Sequence, residues 1–322
     1  NGAGGVADFV ASGTLPNGTP VILNADGTVT AVASIGVSAT ESIPAGTETV
    51  YNAGSANFNS AVFDPNTAGK FVVAYMDGGN SYFGTAIVGN VSGTSITFGS
   101  EYVFSAANTG YISASFDPNT ANKFIICYKN NSNSGYGTAI VGNVSGTTLS
   151  FGSKYVFKST NSGYQSCSFD PNTANKFAVV YHNGSYQGCS RIGTVSGTTI
   201  SFGTEVIFST FSTHYIKMAF DPITANRFVV VYMDNTNGNE GTVNVGTISG
   251  TSITFGSASV FNSSGSEIPV ISFDPFNSGK FVVAYTDANN SSYGATNVGT
   301  ISGTTASFSA KTIFNTGSTA AI

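Results

Sequence analysis

Charge is what this chain has least of. Of its 322 residues only 8% are Asp, Glu, Lys or Arg, against about a quarter in an ordinary globular domain. The 11 basic residues form no cluster and the net charge is -5, which excludes nucleic acid and an anionic membrane surface as partners. No stretch approaches the roughly 18 consecutive apolar residues of a bilayer span, so no membrane insertion is expected. No segment shows the helical period of about 3.6 residues, and so no Gly-rich phosphate loop opens a helix. Only two histidines, His182 and His214, and three cysteines are present. No cofactor and no metal site is expected from so thin a supply of ligands.

Repetition is what the chain has most of. FDPNTANKF begins at Phe116 and again at Phe169, with variants at Phe63, Phe220 and Phe273. The intervals are 53, 53, 51 and 53 residues, and so fixed a period marks a repeated architecture. Within the unit starting at Tyr111, YISASF alternates and reads as a first strand. KFIICY, from Lys123, is the continuous apolar run of a strand buried on both faces. TAIVGNV (Thr138 to Val144) and LSFGSKYVF (Leu149 to Phe157) complete four short antiparallel strands.

Four-stranded units of this length predict an all-β six-bladed β-propeller. A β-sandwich is the alternative, but it does not account for near-identical units in series. Five repeats span about 58–104, 111–157, 164–208, 215–261 and 268–314. A degenerate blade one takes 18–50 together with Ser318 to Ile322, because TGSTAAI matches TGYISAS from Thr109. The ring is thus expected to close by pairing the N- and C-terminal segments. Asn1 to about Asn17 reads as an arm, an extra strand or a joint to a further domain.

Most of the repeated residues are structural. Asp64, Asp117, Asp170, Asp221 and Asp274 precede a proline or a turn former and are expected to bond turn amides. Calcium, which wants six to eight oxygens gathered closely, is not served by one Asp per loop. Lys70, Lys123, Lys176, Arg227 and Lys280 follow at a fixed offset, to pair with those carboxylates or to guard the strand edge. Cys127 and Cys167 stand where Ala74 and Ala114 stand one repeat earlier, as small buried residues. Cys189 shares a repeat with Cys167, and a disulfide between them is the alternative to buried thiols.

Function is expected on the opposite face, where the loops vary. Tyr82, Phe83, Tyr136, Tyr186 and Tyr293 recur there among Asn, Ser and Gly. Phe58, Tyr111, Tyr164 and Tyr215 begin successive units on the same side, either to contact a ligand or to pack between blades. Rings beside amides and hydroxyls suit a sugar or a protein surface. Asp234, Glu240 and Asp287 could supply a carboxylate pair, but nothing in the sequence sets their separation. The chain is therefore read as non-enzymatic, with no catalytic residue.

The five units resemble the FDPNTxxKFVVAYxDxxNSxYGTAIVGxVSGTSISFGxxxVF repeats of tail-fibre or other virion proteins of marine bacteriophages. The segment GTLPNGTPVILNADGTVTAV (Gly13 to Val32) is also similar to parts of such proteins. The resemblance implies a virion surface or extracellular module that displays a rigid disc to a host cell-surface glycan or protein, alongside other virion proteins. A structural decoration or adaptor of the virion is one alternative, and a secreted bacterial lectin or adhesin is another.

Overall fold

The computed structural model describes residues 10–11, 21–23, 28–31, 46, 48–263 and 265–319. The chain divides into two compact units, Asn1–Gly46 and Thr47–Ile322. In the first, strand Thr28–Ala31 lies between Val10–Ala11, to which it is parallel, and Val21–Leu23, to which it is antiparallel.

The second unit is built from the five repeats. In repeat two the second strand is Lys123–Asn130 and the third Tyr136–Ser145, followed by Thr148–Asn161. The first strand of this repeat is the C-terminal half of the 22-residue strand Ser95–Phe116, whose N-terminal half closes repeat one. The first strands of the other repeats are Ala56–Phe63, Gly163–Phe169, Thr213–Phe220 and Ser266–Phe273. In repeats three to five the last strand is broken into two pieces that both pair with the third strand.

The second strands of repeats two to four are apolar on both faces because each lies between two neighbouring sheets, whereas in repeat five Val282 is 43% exposed. Phe124, Ile126 and Tyr128 pack with Val72 and Ala74 of repeat one. From the same strand, Ile125 and Cys127 pack with Phe177, Val179 and Tyr181 of repeat three. Ala178 and Val180 then meet Phe228 and Val230, and Val229 and Val231 meet Phe281 and Val283. Each Val, Ile or Phe among them, fully buried, contributes about 1.5–3 kcal/mol. A Cβ at Gly203 would stand 2.2 Å from the Thr251 carbonyl oxygen in the turn of the next repeat, so only glycine lets the sheets approach. Gly99, Gly152 and Gly256 make the same approach.

Hydroxyls and carboxylates tie the repeats further. Ser60, Ser113 and Ser166 accept from the backbone N–H of Ala114, Cys167 and Met218, each in the following repeat, at 3.0–3.2 Å. Asp117 accepts from Asn119 N–H at 2.9 Å in its own turn and from Asn175 N–H at 3.0 Å in the next repeat. Asp64 and Asp221 bridge in the same way to Asn122 and Gly279. Asp170 and Asp274 bond Asn172 and Phe276 within their own turns. Of the cations at the fixed offset, Arg227 pairs with Asp221, whereas Lys123 donates to Asn175 and Lys280 to Thr300. Cys127, Cys167 and Cys189 are buried free thiols.

This topology corrects the six-bladed propeller closed by its chain ends. A strand has only two hydrogen-bonding edges. Those of Thr28–Ala31 are taken by Val10–Ala11 and Val21–Leu23, and Val21–Leu23 forms no other ladder among the described residues. At the far end Thr319 remains on repeat five. Its N–H donates to the Ser292 carbonyl at 2.8 Å, and the Thr286 hydroxyl donates to its carbonyl at 2.9 Å. The equivalent N–H of Thr109 donates to Tyr82, so Thr319 rather than Thr316 is the counterpart of Thr109, and the match of TGSTAAI was displaced by three residues. Residues 320–322 and most of 1–17 lie outside the described residues. Among those described, repeats one and two share the strand Ser95–Phe116, repeats three to five are separate antiparallel sheets, and no ladder joins repeat five to repeat one.

Candidate functional site

Every first strand carries the same irregularity. The register slips between Asn57 and Ser60, Gly110 and Ser113, Gly163 and Ser166, His214 and Lys217, and Glu267 and Val270. At each slip one bulky residue has left-handed backbone, with φ from 48° to 52°: Phe58, Tyr111, Tyr164, Tyr215 and Ile268. Such a conformation costs on the order of 1–3 kcal/mol in a side-chain-bearing residue. A bulge re-aims the side chain it carries. Here all five are turned into one cavity of 250 Å³, whose lining also holds Gln165 and Lys217.

The rings touch in sequence. Phe58 and Tyr111 have centroids 5.1 Å apart, Tyr111 and Tyr164 4.9 Å, and Tyr164 and Tyr215 5.2 Å. The two histidines join them, each 5.5 Å from Tyr164. Tyr186 stacks against both, at 5.0 Å from His182 and 5.6 Å from His214. The Lys129 ammonium lies 5.8 Å from the centre of the Tyr111 ring, within cation–π range.

The chemistry of these groups follows from their burial. The His182 Nδ1–H donates to the Asn183 carbonyl at 2.8 Å, which leaves Nε2 as an acceptor in the neutral ring. Gly163 makes room for that nitrogen, since a Cβ there would stand 2.4 Å away. Burial pushes both imidazoles below their ordinary pKa, so both favour the neutral form. Burial, and then the neighbouring Tyr111 and Tyr215, pushes the Tyr164 phenol up to about 12, so it keeps its proton as a donor. The result is a set of ring faces edged by donors and acceptors.

The variable-loop residues fall into two structural classes. Tyr82 and Tyr186 share the left-handed position before the third strand, with φ 60° and 62°, and both rings are about half exposed. Phe83, Tyr136 and Tyr293 begin the third strand and are half-buried. Only Tyr186 reaches the ring cluster; Tyr82, Phe83, Tyr136 and Tyr293 make no ring contact among the described residues. Two of the three candidate carboxylates are occupied in structural roles. Asp234 accepts from Thr236 N–H, and Asp287 pairs with Lys311. A wider cavity of 460 Å³ at the opposite end is lined by the phenylalanines and prolines of the FDP turns. Its only titratable side chain is Cys167.

Sequence reading missed Lys129, Gln165 and Lys217 and gave the histidines no role. Lys217 was detectable, because it stands where Ser60, Ser113 and Ser166 stand. Neither the convergence of the rings nor the stacking of Tyr186 on residues from two repeats leaves a local trace.

No family model matches the chain, and no curated protein matches it. Solved structures do. AofleA from Arthrobotrys oligospora aligns with TM-score 0.54 and 12% identity, over 81% of this chain and 71% of that one. A Bacteroides uniformis protein carrying a provisional 6-phosphogluconolactonase name aligns with TM-score 0.55 and 10% identity, over 78% and 70%. A protein of unknown function from Dyadobacter fermentans aligns with TM-score 0.53 and 9% identity, over 80% and 83%. At such identities the likeness is one of fold, and the enzyme-named neighbour brings no activity to this chain. These neighbours come from a fungus and two bacteria. They correct the resemblance to bacteriophage virion proteins, and with it the tail-fibre role, the virion partners and the virion-surface location. No helix among the described residues is long and apolar enough to cross a membrane.

Proposed function

We propose that this chain is a non-enzymatic carbohydrate-binding protein of the lectin or adhesin kind, with its site at the ring cluster around Tyr164. The observation that carries the reading is the convergence of Phe58, Tyr111, Tyr164 and Tyr215 on one cavity, each from a strained backbone position repeated in every unit. A sugar ring offers apolar C–H faces with hydroxyls around its edge. The tyrosine faces of the lining can take up the former, and Gln165, Asn59 and the Tyr164 hydroxyl can meet the latter. The volume of 250 Å³ lies just below the range of about 300–1,000 Å³ for drug-sized ligands and suits a single monosaccharide unit.

The test is a glycan array followed by calorimetric titration of the best ligand. Wild type is expected to bind, and Tyr164→Leu to lose about tenfold or more in affinity at an unchanged fold. Absence of binding to every glycan by wild type, or full binding by the Leu variant, would remove the reading.

A further inference from the structure

We infer that the cavity is built for an acidic monosaccharide, a uronic acid unit whose carboxylate pairs with Lys217 while its ring stacks on the tyrosines. The inference rests on the carbohydrate reading and specifies its ligand.

Lys217 breaks the rule of its repeats. In repeats one to three its position is a serine whose hydroxyl ties the strand to the next repeat. An ammonium has three donors and no acceptor, so it cannot make that tie. The side chain lines the ring cavity instead, and Lys217 is the one charged residue of that lining. Its ammonium, like those of Lys70 and Lys176, has no hydrogen bond or ion pair among the described residues, but of the three only Lys217 lines this cavity. The residue is open to solvent yet set deep among protein atoms, and burial lowers its pKa from the ordinary lysine value. A carboxylate placed against it would offset that desolvation by charge pairing.

A second group asks for a different part of the same ligand. Gln165 is 3% exposed; its amide N–H donates to Ser162 at 2.8 Å, but its amide oxygen has no partner. A buried carbonyl oxygen left unpaired is costly, and a ligand hydroxyl can relieve that cost. One cavity thus offers a cation, an acceptor for a hydroxyl, and ring faces. A carboxylate, a hydroxyl and an apolar pyranose face are combined in a uronic acid. Lys129 over Tyr111 adds a second positive charge near the cavity, and Glu267, next to Ile268, is the acidic residue that adjoins the lining in sequence.

The experiment titrates the whole chain with glucuronate and glucose, galacturonate and galactose, and with acetate and phosphate as bare anions. Wild type is expected to prefer each acid over its neutral partner by about tenfold or more, and to bind neither acetate nor phosphate comparably. Lys217→Met should abolish the preference while neutral-sugar binding survives, and Lys217→Arg should keep part of it. Lys217→Ser restores the residue of the first three repeats and serves as the variant expected to fold at least as well as wild type. Equal binding of acid and neutral sugars, a preference that survives in both Met and Ser variants, or equal binding of acetate would overturn the inference and leave the carbohydrate reading intact. Wild type that binds neither sugars nor their acids would overturn both.

Discussion

The ring of Tyr186 lies nearly parallel to that of His214, with planes 13° apart and centroids 5.6 Å apart. The two residues come from different repeats, and backbone and side-chain bonds hold them together. The Tyr186 carbonyl accepts from both the N–H and the hydroxyl of Thr213, at 2.9 Å each. The Tyr186 ring itself is about half exposed. Tyr186→Ala is therefore expected to leave the melting temperature nearly unchanged, because the backbone link survives. It should weaken glycan binding by about 1 kcal/mol, the scale of one aromatic contact. Tyr82→Ala, at the equivalent position but without ring partners, should have a smaller effect on the same titration.

Asp117 is predicted to matter more than Asp274, although both occupy the same place in the repeat. Asp117 is fully buried and holds one amide in its own turn and another in the next repeat. Asp117→Ala leaves both N–H groups without that acceptor and should cost about 1–3 kcal/mol. Asp274 bonds only within its own solvent-exposed turn, to Phe276 and Asn277, so Asp274→Ala should cost less. Denaturant melts of the two variants decide the order; a larger loss for Asp274→Ala contradicts the account of the bridging carboxylate.

Gly203→Ala tests the contact between sheets. The added Cβ would meet the Thr251 carbonyl at 2.2 Å, and that oxygen is backbone, with little freedom to move. Overpacking of this kind costs about 1–3 kcal/mol. A control at Gly197, where a Cβ meets nothing within 4 Å but the backbone has φ 61°, separates crowding from conformational strain. If Gly203→Ala melts with wild type, the close contact between the sheets is not felt.

The histidines predict a pH dependence of stability. Burial lowers the folded-state pKa of His182 and His214 below the ordinary value of about 6.5. The unfolded chain then takes up protons first as the pH falls. Stability is full above about 6.5 and declines below it, until the folded imidazoles are also charged. Melting curves on either side of that value should show the decline, and His182→Gln with His214→Gln should flatten it. A decline of the same size in the double variant would assign it to other groups.

Much of the local architecture was legible in the sequence because it is set by neighbours along the chain. The apolar run from Lys123, the glycine turns and the polar loops each have a local signature, and the strands Lys123–Asn130 and Tyr136–Ser145 form where those signatures place them. The loop tyrosines were less legible. Tyr82 and Tyr136 look equivalent by their neighbours, yet Tyr82 sits in a left-handed turn and Tyr136 begins a strand. One residue of offset decides this: counted back from the shared GTAIVG, Tyr136 stands where Phe83 stands, and Gly135 stands where Tyr82 stands.

By itself the sequence determined the five repeats, their all-β character and the apolar run of each second strand, since period and apolar pattern act locally. Only the tertiary structure decided which edges pair and which rings meet. The ends of the described chain do not close a sixth sheet, because both edges of Thr28–Ala31 are filled and Thr319 bonds back to repeat five. Tyr164 meets Tyr111, Tyr215, His182 and His214 because bulges in separate strands turn side chains into one cavity. Such a meeting depends on how sheets distant in sequence stack, and no short stretch of residues can specify it.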